Sequence, residues 1–600
     1  MNTIPEMWLA RVAATPDREA FRFPTANGWG SLTWTQAGER VRNIACGLLA
    51  LGLRPEERCA ILAGTRLEWI LADMGILCGG GATTTIYPST TADDCVFIVT
   101  DSGSAYIFAE NDAQVDKLHA RRADMPSVRN VIRFDGTGDL RGGWVVPLAD
   151  LEKSGADYHA KKPDAFDKAA RGAKKDNLAT LIYTSGTTGR PKGVELLQDC
   201  WAYTAEAAEE TGFLHADDVQ FLWLPLAHSF GKVLEVLQLR IGFVTAVDGR
   251  VDKIVDNLAE VRPTFVAAVP RIFEKVHNRV VQGAHEKGGL TASIFRWAMG
   301  VGRTVSRLRA DGKRPGPLVS LQYGLADKLV FSKLRARFGG RIRFFISGSA
   351  PLARDLAEFF DAAGILILEG YGLTETSAAS FVNLPDKNRF GTVGPALPGT
   401  DVKIADDGEI LIRGRGVMRG YHNLPDATRE VLDGGWLKTG DIGALQEGGF
   451  LQITDRKKDL IKTSGGKYVA PQALEGQLKV LSPYLSQVVV HGNNRNFVSA
   501  LVTLDPDAIR GWAKEHGAGD VSLEALAKDD RVNALVNGAV DELNRGLAKH
   551  ETIKKFAILP TDFSLEAGEL TPSLKVKRKV VEQKYKDLLD SFYAGAITGD

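Results

Sequence analysis

The chain has 600 residues, which at about 150 residues per domain corresponds to roughly four folding units, or to one large domain and a small one. Its 74 Lys and Arg balance its 74 Asp and Glu, so a dedicated nucleic-acid-binding protein, which needs a basic excess, is excluded. With 44% hydrophobic and 25% charged residues, the composition is that of a globular protein and excludes a largely disordered chain.

The cysteines and the apolar segments indicate the cellular compartment in which the protein resides. The five cysteines form no CxxC pair, and their number is odd. Both facts argue against a zinc ribbon, a redox dithiol and a disulfide framework. The cysteines are Cys46, Cys59, Cys78, Cys95 and Cys200. The N-terminal segment carries early acids and no long apolar stretch, so we expect no signal peptide. The longest apolar region, around 70–86, is broken by Asp73 and by glycines, and a spanning helix needs about 18 apolar residues. We therefore expect a cytoplasmic protein.

The first elements along the chain follow simple periodic patterns. Apolar residues at helical spacing over 41–49 predict an amphipathic helix that Gly52 can end. The segment LATLIYT, at 178–184, predicts a buried strand. Two charged stretches, 271–333 and 505–555, have a helical pattern. This pattern favours scaffold helices, and it leaves open a surface that faces a membrane or a protein partner.

A strand–helix–strand unit is predicted after residue 340. RIRFFIS at 341–347 predicts a strand, Pro351 suits the first turn of the next helix, and Gly364 suits its C-terminal end. ILIL at 365–368 predicts the second strand, followed by the loop EGYG. The two strands should be parallel, and ligands of open α/β sheets bind where such strands end.

Beyond about residue 390 the pattern changes to hairpins. Asp407 and Gly408 form a turn signal between two alternating runs, and FLQI at 450–453 predicts another short strand. QVVVH and FVSALVTL flank a turn-like segment that begins at Gly492. We place the main division at 455/456, which gives a large domain over 1–455 and a small α+β domain over 456–600.

The segment YTSGTTGRPKGV, Tyr183–Val194, is the most informative for chemistry. Its glycines let several backbone N–H groups converge, its serine and threonines add hydroxyl donors, and Lys192 adds a positive charge. These features predict a cradle for an anion such as a triphosphate. The segment is not a Walker A loop, because Pro191 stands where that motif requires glycine.

The Tyr183–Val194 string resembles the phosphate loop of the adenylate-forming superfamily, which includes acyl-CoA synthetases, luciferases and the adenylation domains of peptide synthetases. Further matching segments follow in the expected order, and the resemblance extends from about Phe21 to Tyr585. It implies an α/β fold with a large N-terminal domain of layered α/β sheets and a β-barrel-like subdomain. A small, mobile α+β C-terminal domain follows and carries a catalytic lysine and the loop used in thioester formation.

The resemblance also implies a nucleotide site. Tyr371 of EGYGLTET would stack on the adenine, and Asp441 of WLKTGDIG would bind the ribose hydroxyls. The expected ATP-binding residues are Thr184, Ser185, Gly186, Thr187, Thr188, Gly189, Lys192, Gly348, Ser349, Ala350, Glu369, Gly370, Tyr371, Gly372, Thr374, Glu375, Asp441, Arg456 and Lys575. Glu375 and Thr184 are the expected magnesium ligands, since a carboxylate oxygen suits that ion.

Catalysis and domain movement are assigned by the same resemblance. LTPSLKVKR resembles the motif of the catalytic lysine, which by alignment is Lys575, with Lys577 as a near neighbour. His228 of LPLAHSFG would lie beside the substrate carboxylate, and Lys192 would hold the leaving pyrophosphate. Lys458 matches the hinge position. Gly465 and Gly466 resemble the loop that lines the CoA channel.

The implied reaction activates a long-chain fatty acid with MgATP to an acyl-adenylate and transfers the acyl group to CoA. Alternatives are a fatty acyl-AMP ligase that serves a separate carrier protein, a CoA ligase for medium-chain or aromatic acids, and a non-enzymatic binder. The sequence of this chain differs from that of many relatives at 197–200 and near Lys232, and these differences concern which substrate is bound. The resemblance implies fatty acid, ATP and CoA as ligands and Mg²⁺ as cofactor. It leaves open a homodimer and peripheral contact with the inner face of a membrane.

Overall fold

The protein is represented by a computed structural model that describes residues 1–184, 190–286, 288–310, 312–518, 521–571 and 575–594. The strands are β1 (Glu19–Thr25), β2 (Gly28–Thr33), β3 (Arg58–Leu62), β4 (Ala82–Ile86), β5 (Tyr106–Ala109), β6 (Asn130–Arg133), β7 (Val145–Pro147), β8 (Leu178–Thr184), β9 (Lys192–Leu197), β10 (Val219–Leu222), β11 (Val244–Val247), β12 (Phe265–Ala268), β13 (Phe344–Ser347), β14 (Ile367–Tyr371), β15 (Phe381–Val382), β16 (Asp401–Ile404), β17 (Glu409–Arg413), β18 (Gly420–Tyr421), β19 (Leu432–Asp433), β20 (Trp436–Leu445), β21 (Leu451–Arg456), β22 (Ile461–Lys462), β23 (Tyr468–Val469), β24 (Leu485–His491), β25 (Val498–Leu504) and β26 (Ile553–Ile558).

The helices are α1 (Ile4–Ala14), α2 (Trp34–Ala50), α3 (Leu67–Cys78), α4 (Ala92–Ser102), α5 (Asp112–His119), α6 (Leu148–Lys161), α7 (Ala165–Gly172), α8 (Gln198–Thr211), α9 (Ser229–Ile241), α10 (Ile254–Val261), α11 (Pro270–Glu286), α12 (Gly289–Ala310), α13 (Pro317–Ala326), α14 (Ser332–Ala336), α15 (Arg354–Ala362), α16 (Pro425–Val431), α17 (Pro471–Leu481), α18 (Pro506–Glu515), α19 (Leu523–Ala527), α20 (Asp530–Arg545), α21 (Arg578–Lys584) and α22 (Lys586–Ser591). A π-helical segment at 327–331 joins α13 to α14.

Two eight-stranded sheets form the large part of the molecule. One has the order β15-β14-β13-β12-β10-β11-β1-β2, and the other has the order β18-β9-β8-β4-β3-β5-β6-β7. Their central strands are parallel, and the helices that connect them cover the faces, as expected for strands with continuous apolar runs. The fold class predicted from the sequence, layered α/β sheets with an additional β subdomain and a C-terminal domain, is confirmed.

The additional β subdomain is a five-stranded antiparallel sheet with the order β16-β17-β20-β19, in which β21 also pairs with β20. The predicted hairpin at Asp407 and Gly408 joins β16 to β17, and Gly408 has a positive φ of 84° that suits the turn. The chain leaves this sheet after Arg456.

The residues after Ile461 have hydrophobic cores of their own. Strands β24, β25 and β26 form a three-stranded sheet, with β24 and β25 antiparallel as the sequence predicts. One face of this sheet packs on α17, α18 and α20, and the other face packs on the C-terminal segment that contains α21 and α22. Separate cores are what a separately folding unit requires, and the proposed division at 455/456 stays a prediction.

Within the described residues, no helix is both long enough and apolar enough to cross a membrane. The apolar region around 70–86 forms α3 and β4, and α3 is buried except at its first turn. The five cysteines are all buried and free.

The deep burial of α3 creates a charged cluster inside the large core. Asp73 of α3 meets Lys232 of α9, whose Nζ also lies 3.1 Å from Glu235 Oε2, and all three side chains are fully buried. Burial raises the pKa of Glu235 well above its usual range, and the charge of Asp73 adds to this effect, whereas Lys232 opposes it. Burial alone would lower the pKa of Lys232, but the two carboxyl groups outweigh it and raise that pKa. The cluster therefore favours the protonated form of Glu235 and the ammonium form of Lys232.

We predict that Glu235→Gln stabilises the protein relative to the wild type by an amount that grows as the pH rises from about 5 to 8. The raised pKa means that folding must keep a proton on Glu235, so the wild type loses stability above the unfolded-state pKa of about 4.3, whereas glutamine needs no proton. The difference in thermal unfolding midpoint across this pH range measures the effect.

Lys232→Met serves as the opposite case, because it leaves a buried carboxylate without a counter-charge and should cost about 3–5 kcal/mol. Lys328→Met, at an exposed lysine, is the matched control and should leave the midpoint nearly unchanged. A midpoint difference between Glu235→Gln and the wild type that does not vary with pH would contradict the assignment of the proton.

Candidate active site

The ends of β13 and β14 define one edge of the site. The two strands are parallel, as the sequence predicts, so Gly348–Ala350 and Glu369–Tyr371 lie at the same edge of the sheet. Ser349 has a φ of 69°, a left-handed conformation that turns the chain sharply after β13. An added Cβ on Gly348 would lie 3.2 Å from the ring of Phe230, which shows how closely the backbone approaches its surroundings here.

Two details of this unit differ from the sequence-based prediction. Pro351 does not begin the helix, because α15 starts at Arg354, three residues later, after the sharp turn at Ser349. The segment EGYG is not a loop as predicted, because β14 continues to Tyr371, where it pairs with β15. Strand pairing therefore holds the tyrosine backbone rigidly.

Gly372 ends this strand at a position that only glycine can occupy. A Cβ there would lie 1.7 Å from the carbonyl oxygen of Ala378, so any other residue would force the backbone apart.

Glu369 lies upstream on the same strand. Burial raises the pKa of Glu369 to about 8, despite the backbone hydrogen bonds from Gly391 and Leu352. Glu369 is therefore largely protonated at neutral pH.

Asp441 forms the centre of the site. Tyr371 Oη donates a hydrogen bond of 2.6 Å to Asp441 Oδ2, and Arg456 Nε lies 3.2 Å from Asp441 Oδ1. Asp441 on β20 and Arg456 on β21 are direct cross-strand partners, so sheet register brings the ion pair together. Asp441 is 3% exposed, and burial raises its pKa, although Arg456, Tyr371 and Lys575 oppose that rise.

Lys575 comes from the C-terminal part and lies in the same cleft. The described residues on either side of 572–574 bond to each other: Lys575 N–H donates to Thr571 Oγ1 at 3.0 Å, and Thr571 N–H donates to the Lys575 carbonyl at 2.7 Å. The lysine is exposed to solvent in the cleft, but the protein atoms that surround it and the charge of Arg456 lower its pKa to about 8. Asp441 opposes this shift. At neutral pH the side chain is therefore still mostly an ammonium, but it loses its proton more easily than a lysine in water does.

The positive charge of Lys575 also acts on His228. Its Nδ1 accepts a hydrogen bond of 3.2 Å from the backbone N–H of Phe230, at the N-terminus of α9. Burial, together with the positive charge of Lys575, lowers the pKa of His228 to about 3. The imidazole is therefore neutral at physiological pH. Since Nδ1 is an acceptor, the ring proton resides on Nε2, which is then a hydrogen-bond donor.

The strands β8 and β9 enclose the predicted phosphate loop. Thr184 ends β8 and is the register partner of Lys192, which begins β9. The loop residues Ser185, Gly186, Thr187, Thr188 and Gly189 lie outside the described residues. The two ends of the loop are thus held together by antiparallel pairing, although the loop itself is not described.

Lys192 is linked to Glu375 through a tyrosine. Its Nζ lies 4.8 Å from the centre of the Tyr421 ring, and Tyr421 Oη donates a hydrogen bond of 2.8 Å to Glu375 Oε1. The neighbouring Thr374 hydroxyl lies 3.3 Å from Ser229 Oγ, which follows His228. These contacts connect Lys192 through Tyr421 to Glu375, and connect the neighbouring Thr374 to the residue that follows His228.

A magnesium ion in such a site would be held mainly by phosphate oxygens and would need only one or two protein ligands. Glu375 fits this requirement, because its Oε1 accepts from Tyr421 while Oε2 can bind a cation. Across the described ranges, no group of three or more His, Cys, Asp or Glu side chains could hold a metal by itself.

Two predicted features lie apart from this group. Lys458 is in an exposed turn after β21, and Gly465 and Gly466 are in the exposed loop between β22 and β23. A Cβ added to either glycine would meet no atom within 4 Å. In the structure Lys575 therefore lies close enough to Asp441 for the carboxylate to raise its pKa, whereas the glycine pair is exposed.

The sequence reasoning missed Tyr421 and the contacts that dock the C-terminal part. Tyr421 reaches the site because β18 pairs with β9, a contact between distant segments that no local pattern signals. Between the two parts, Lys479 Nζ lies 3.0 Å from Glu274 Oε1, and an Arg271 guanidinium N–H donates to Ser486 Oγ at 2.8 Å. A strongly helical pattern around 271 was the one available hint.

Comparison with known proteins gives consistent results at the level of family and fold. The family model described as AMP-binding enzyme matches residues 8–422, and the model of the AMP-binding enzyme C-terminal domain matches residues 458–596. The chain is 21% identical to the crystal structure of the adenylation domain of a carboxylate reductase from Mycobacterium chelonae, with a TM-score of 0.76 over 99% of this chain and 91% of that one. At this identity the likeness concerns the fold alone.

Curated relatives match at higher identity. Long-chain-fatty-acid–CoA ligase FadD15 of Mycobacterium bovis is 38% identical over 568 residues, which cover 94% of this chain and 92% of that protein. Long-chain-fatty-acid–CoA ligase ACSBG2 of Xenopus laevis is 32% identical over 99% of this chain and 84% of that protein. The family model spans more than half of the sequence and these relatives span nearly all of it, so the chain belongs to the AMP-binding, adenylate-forming enzyme family.

Proposed function

We propose that the protein is an AMP-forming long-chain fatty acid–CoA ligase. In the first step a carboxylate oxygen of the fatty acid attacks the α-phosphorus of ATP, and the bond to pyrophosphate breaks. In the second step the CoA thiolate attacks the acyl carbon, the bond to the AMP oxygen breaks, and AMP leaves. One observation carries the proposal: Lys575, from the C-terminal part, lies close enough to Asp441, Arg456 and His228 for these groups to shift one another's pKa.

The nucleotide would be bound by the edge of the first sheet and by β20. Tyr371 offers an aromatic face held by strand pairing, and the chain at Gly348–Ala350 offers close backbone approach, which together suit a flat base. The buried Asp441 carboxylate is an acceptor for the ribose hydroxyls, and Arg456 balances its charge. Thr184 and Glu375 would hold Mg²⁺, which when bound shields the charge of the phosphates. Lys192 would steady the pyrophosphate.

The acyl carboxylate would lie between His228 and Lys575. A neutral imidazole that keeps its proton on Nε2 can donate a hydrogen bond to a carboxylate oxygen without removing a proton, and the carboxylate is already a nucleophile at neutral pH. The Lys575 ammonium would neutralise the charge that carboxylate and α-phosphate share in the transition state. Catalysis of this step then rests on positioning and charge stabilisation.

The second step would require a different arrangement of the C-terminal part. The exposed turn at Lys458 is the proposed hinge, and rotation about it would withdraw Lys575 and present Gly465 and Gly466 to the cleft. The loop of these glycines meets little else in the present arrangement, so it is available for that role. We therefore assign the present arrangement to the adenylation step.

Lys575→Ala should lower fatty-acid-dependent exchange of labelled pyrophosphate into ATP by at least about 100-fold, because the only C-terminal ammonium assigned to the transition state is removed. The rate of acyl-CoA formation from synthetic acyl-adenylate should remain near that of the wild type. Lys577→Ala, two residues away, is the matched control and should leave both rates little changed. Equal loss in both half-reactions would contradict the assignment of Lys575 to the first step.

The adenylation rate should fall as the pH rises through about 8, because the Lys575 pKa is lowered to about 8 and the reaction needs the protonated ammonium. Lys575→Arg keeps the charge and should shift this decline to higher pH, whatever its absolute rate. A profile measured by pyrophosphate exchange checks this, and a decline that stays in place in the arginine variant would assign it to another group.

Gly465→Leu should lower the rate of thioester formation by at least about ten-fold while adenylation stays unchanged, because the added side chain would obstruct the CoA channel only when the loop enters the cleft. Gly465 has open space around it in the adenylation arrangement, so the fold should tolerate leucine. Gly538→Leu, at another open position on α20, is the control. Slowing of both half-reactions to the same extent would reject the proposed role.

A further inference from the structure

A row of exposed leucines follows the helical segment that begins at Pro317. Leu318, Leu321, Leu325 and Leu329 are 69%, 73%, 51% and 39% exposed, and we call these four residues the leucine stripe. Their spacing of three, four and four residues places them on one face of the segment. The opposite face is anchored in the protein by buried Ala326 and Phe331, with the Tyr323 ring 5.6 Å from that of Phe331. The stripe is therefore a fixed apolar surface rather than a frayed end.

The sequence around the leucine stripe is strongly basic. Residues 303–337 contain nine Lys and Arg against two Asp, in a chain whose overall formal charge is zero. The basic residues are Arg303, Arg307, Arg309, Lys313, Arg314, Lys328, Lys333, Arg335 and Arg337. Asp327 is paired with Arg335 at 2.7 Å, so this acid offsets one of the nine positive charges. The segment that carries the leucines therefore has a local excess of positive charge.

Basic side chains lie on the helical segment that carries the leucines and on the helix packed against it. The Arg309 guanidinium, near the end of α12, lies 5.5 Å from the centre of the Tyr323 ring on α13. This contact places the basic end of α12 against the anchored face of α13, opposite the leucines. Lys328, which is exposed, lies between Leu325 and Leu329 along the chain. Long basic side chains in such positions can reach the headgroup level while leucines enter the apolar layer.

We propose that the leucine stripe and its basic surroundings form a docking surface for an anionic lipid bilayer. Exposed apolar side chains on a fixed helix beside Lys and Arg are the features that place a helix in the plane of a membrane interface. Each basic residue near an anionic surface adds attraction, which falls as salt screens it. A second copy of the chain is disfavoured as the occupant, because two equally basic surfaces would repel. The inference goes beyond the proposed function and does not rest on it.

The full chain should co-float with vesicles of neutral phosphatidylcholine mixed with anionic phosphatidylglycerol, and bind vesicles of phosphatidylcholine alone much more weakly. The double variant Leu321→Gln/Leu325→Gln should lower the partition coefficient for the anionic vesicles by about ten-fold or more, because two apolar side chains no longer enter the bilayer. Leu140→Gln/Leu445→Gln, at two exposed leucines elsewhere, is the matched control and should bind as the wild type does.

A second variant keeps the leucines and tests the charge. Lys328→Gln/Lys333→Gln should bind anionic vesicles more weakly and lose part of the salt dependence, with Lys549→Gln/Lys554→Gln as its control. Circular dichroism and pyrophosphate exchange with a short, water-soluble acid verify that the variants fold. Absent binding to anionic vesicles, equal binding to neutral ones, or equal loss in the controls would overturn the proposal. So would a shift from dimer to monomer in the leucine variant without a change in vesicle binding.

Discussion

The buried carboxylate of Asp441 is the charge on which the arrangement of the site depends. A carboxylate that is 3% exposed is costly unless it is paired and hydrogen-bonded, so its neighbours are constrained. Sheet register supplies Arg456 from the adjacent strand, and the end of the parallel sheet supplies the Tyr371 hydroxyl. The same carboxylate favours the ammonium of Lys575, which comes from a segment with a different hydrophobic core.

This dependence couples docking of the C-terminal part to assembly of the site. The charges of Lys575 and Asp441 influence each other, and separate polar contacts, from Lys479 to Glu274 and from Arg271 to Ser486, join the two parts. Its charge also helps to keep His228 neutral, so one residue from the C-terminal part affects the protonation of a residue in the large part. In the proposed reaction, the arrangement with Lys575 at the site favours adenylation. In the same arrangement His228 is neutral and can donate a hydrogen bond to the substrate carboxylate.

Local patterns predicted much of the fold, because they record local physics. The run LATLIYT coincides with β8, and the hairpins at Gly408 and Gly492 follow from their turn residues. The strand predicted at 341–347 is shorter in the structure, where β13 begins at Phe344.

The spacing of residues along the sequence could not predict the tertiary contacts. The link from Lys192 through Tyr421 to Glu375 depends on β18 joining the edge of a sheet formed by residues more than 200 positions earlier, and the charged cluster at Asp73 depends on α3 packing against α9. For the site residues, resemblance to a family supplied the assignments, and the structure adds their distances, burial and protonation. The residues of the phosphate loop from 185 to 189 remain predictions.

The most direct test of the central claim is product analysis. Purified protein is incubated with ATP, Mg²⁺ and a mixture of fatty acids from two to about twenty carbons, with and without CoA, and the products are identified by mass spectrometry. The account predicts acyl-CoA and AMP from the long acids when CoA is present. Acyl-AMP that persists in the presence of CoA, or a product from none of the long acids, would contradict it.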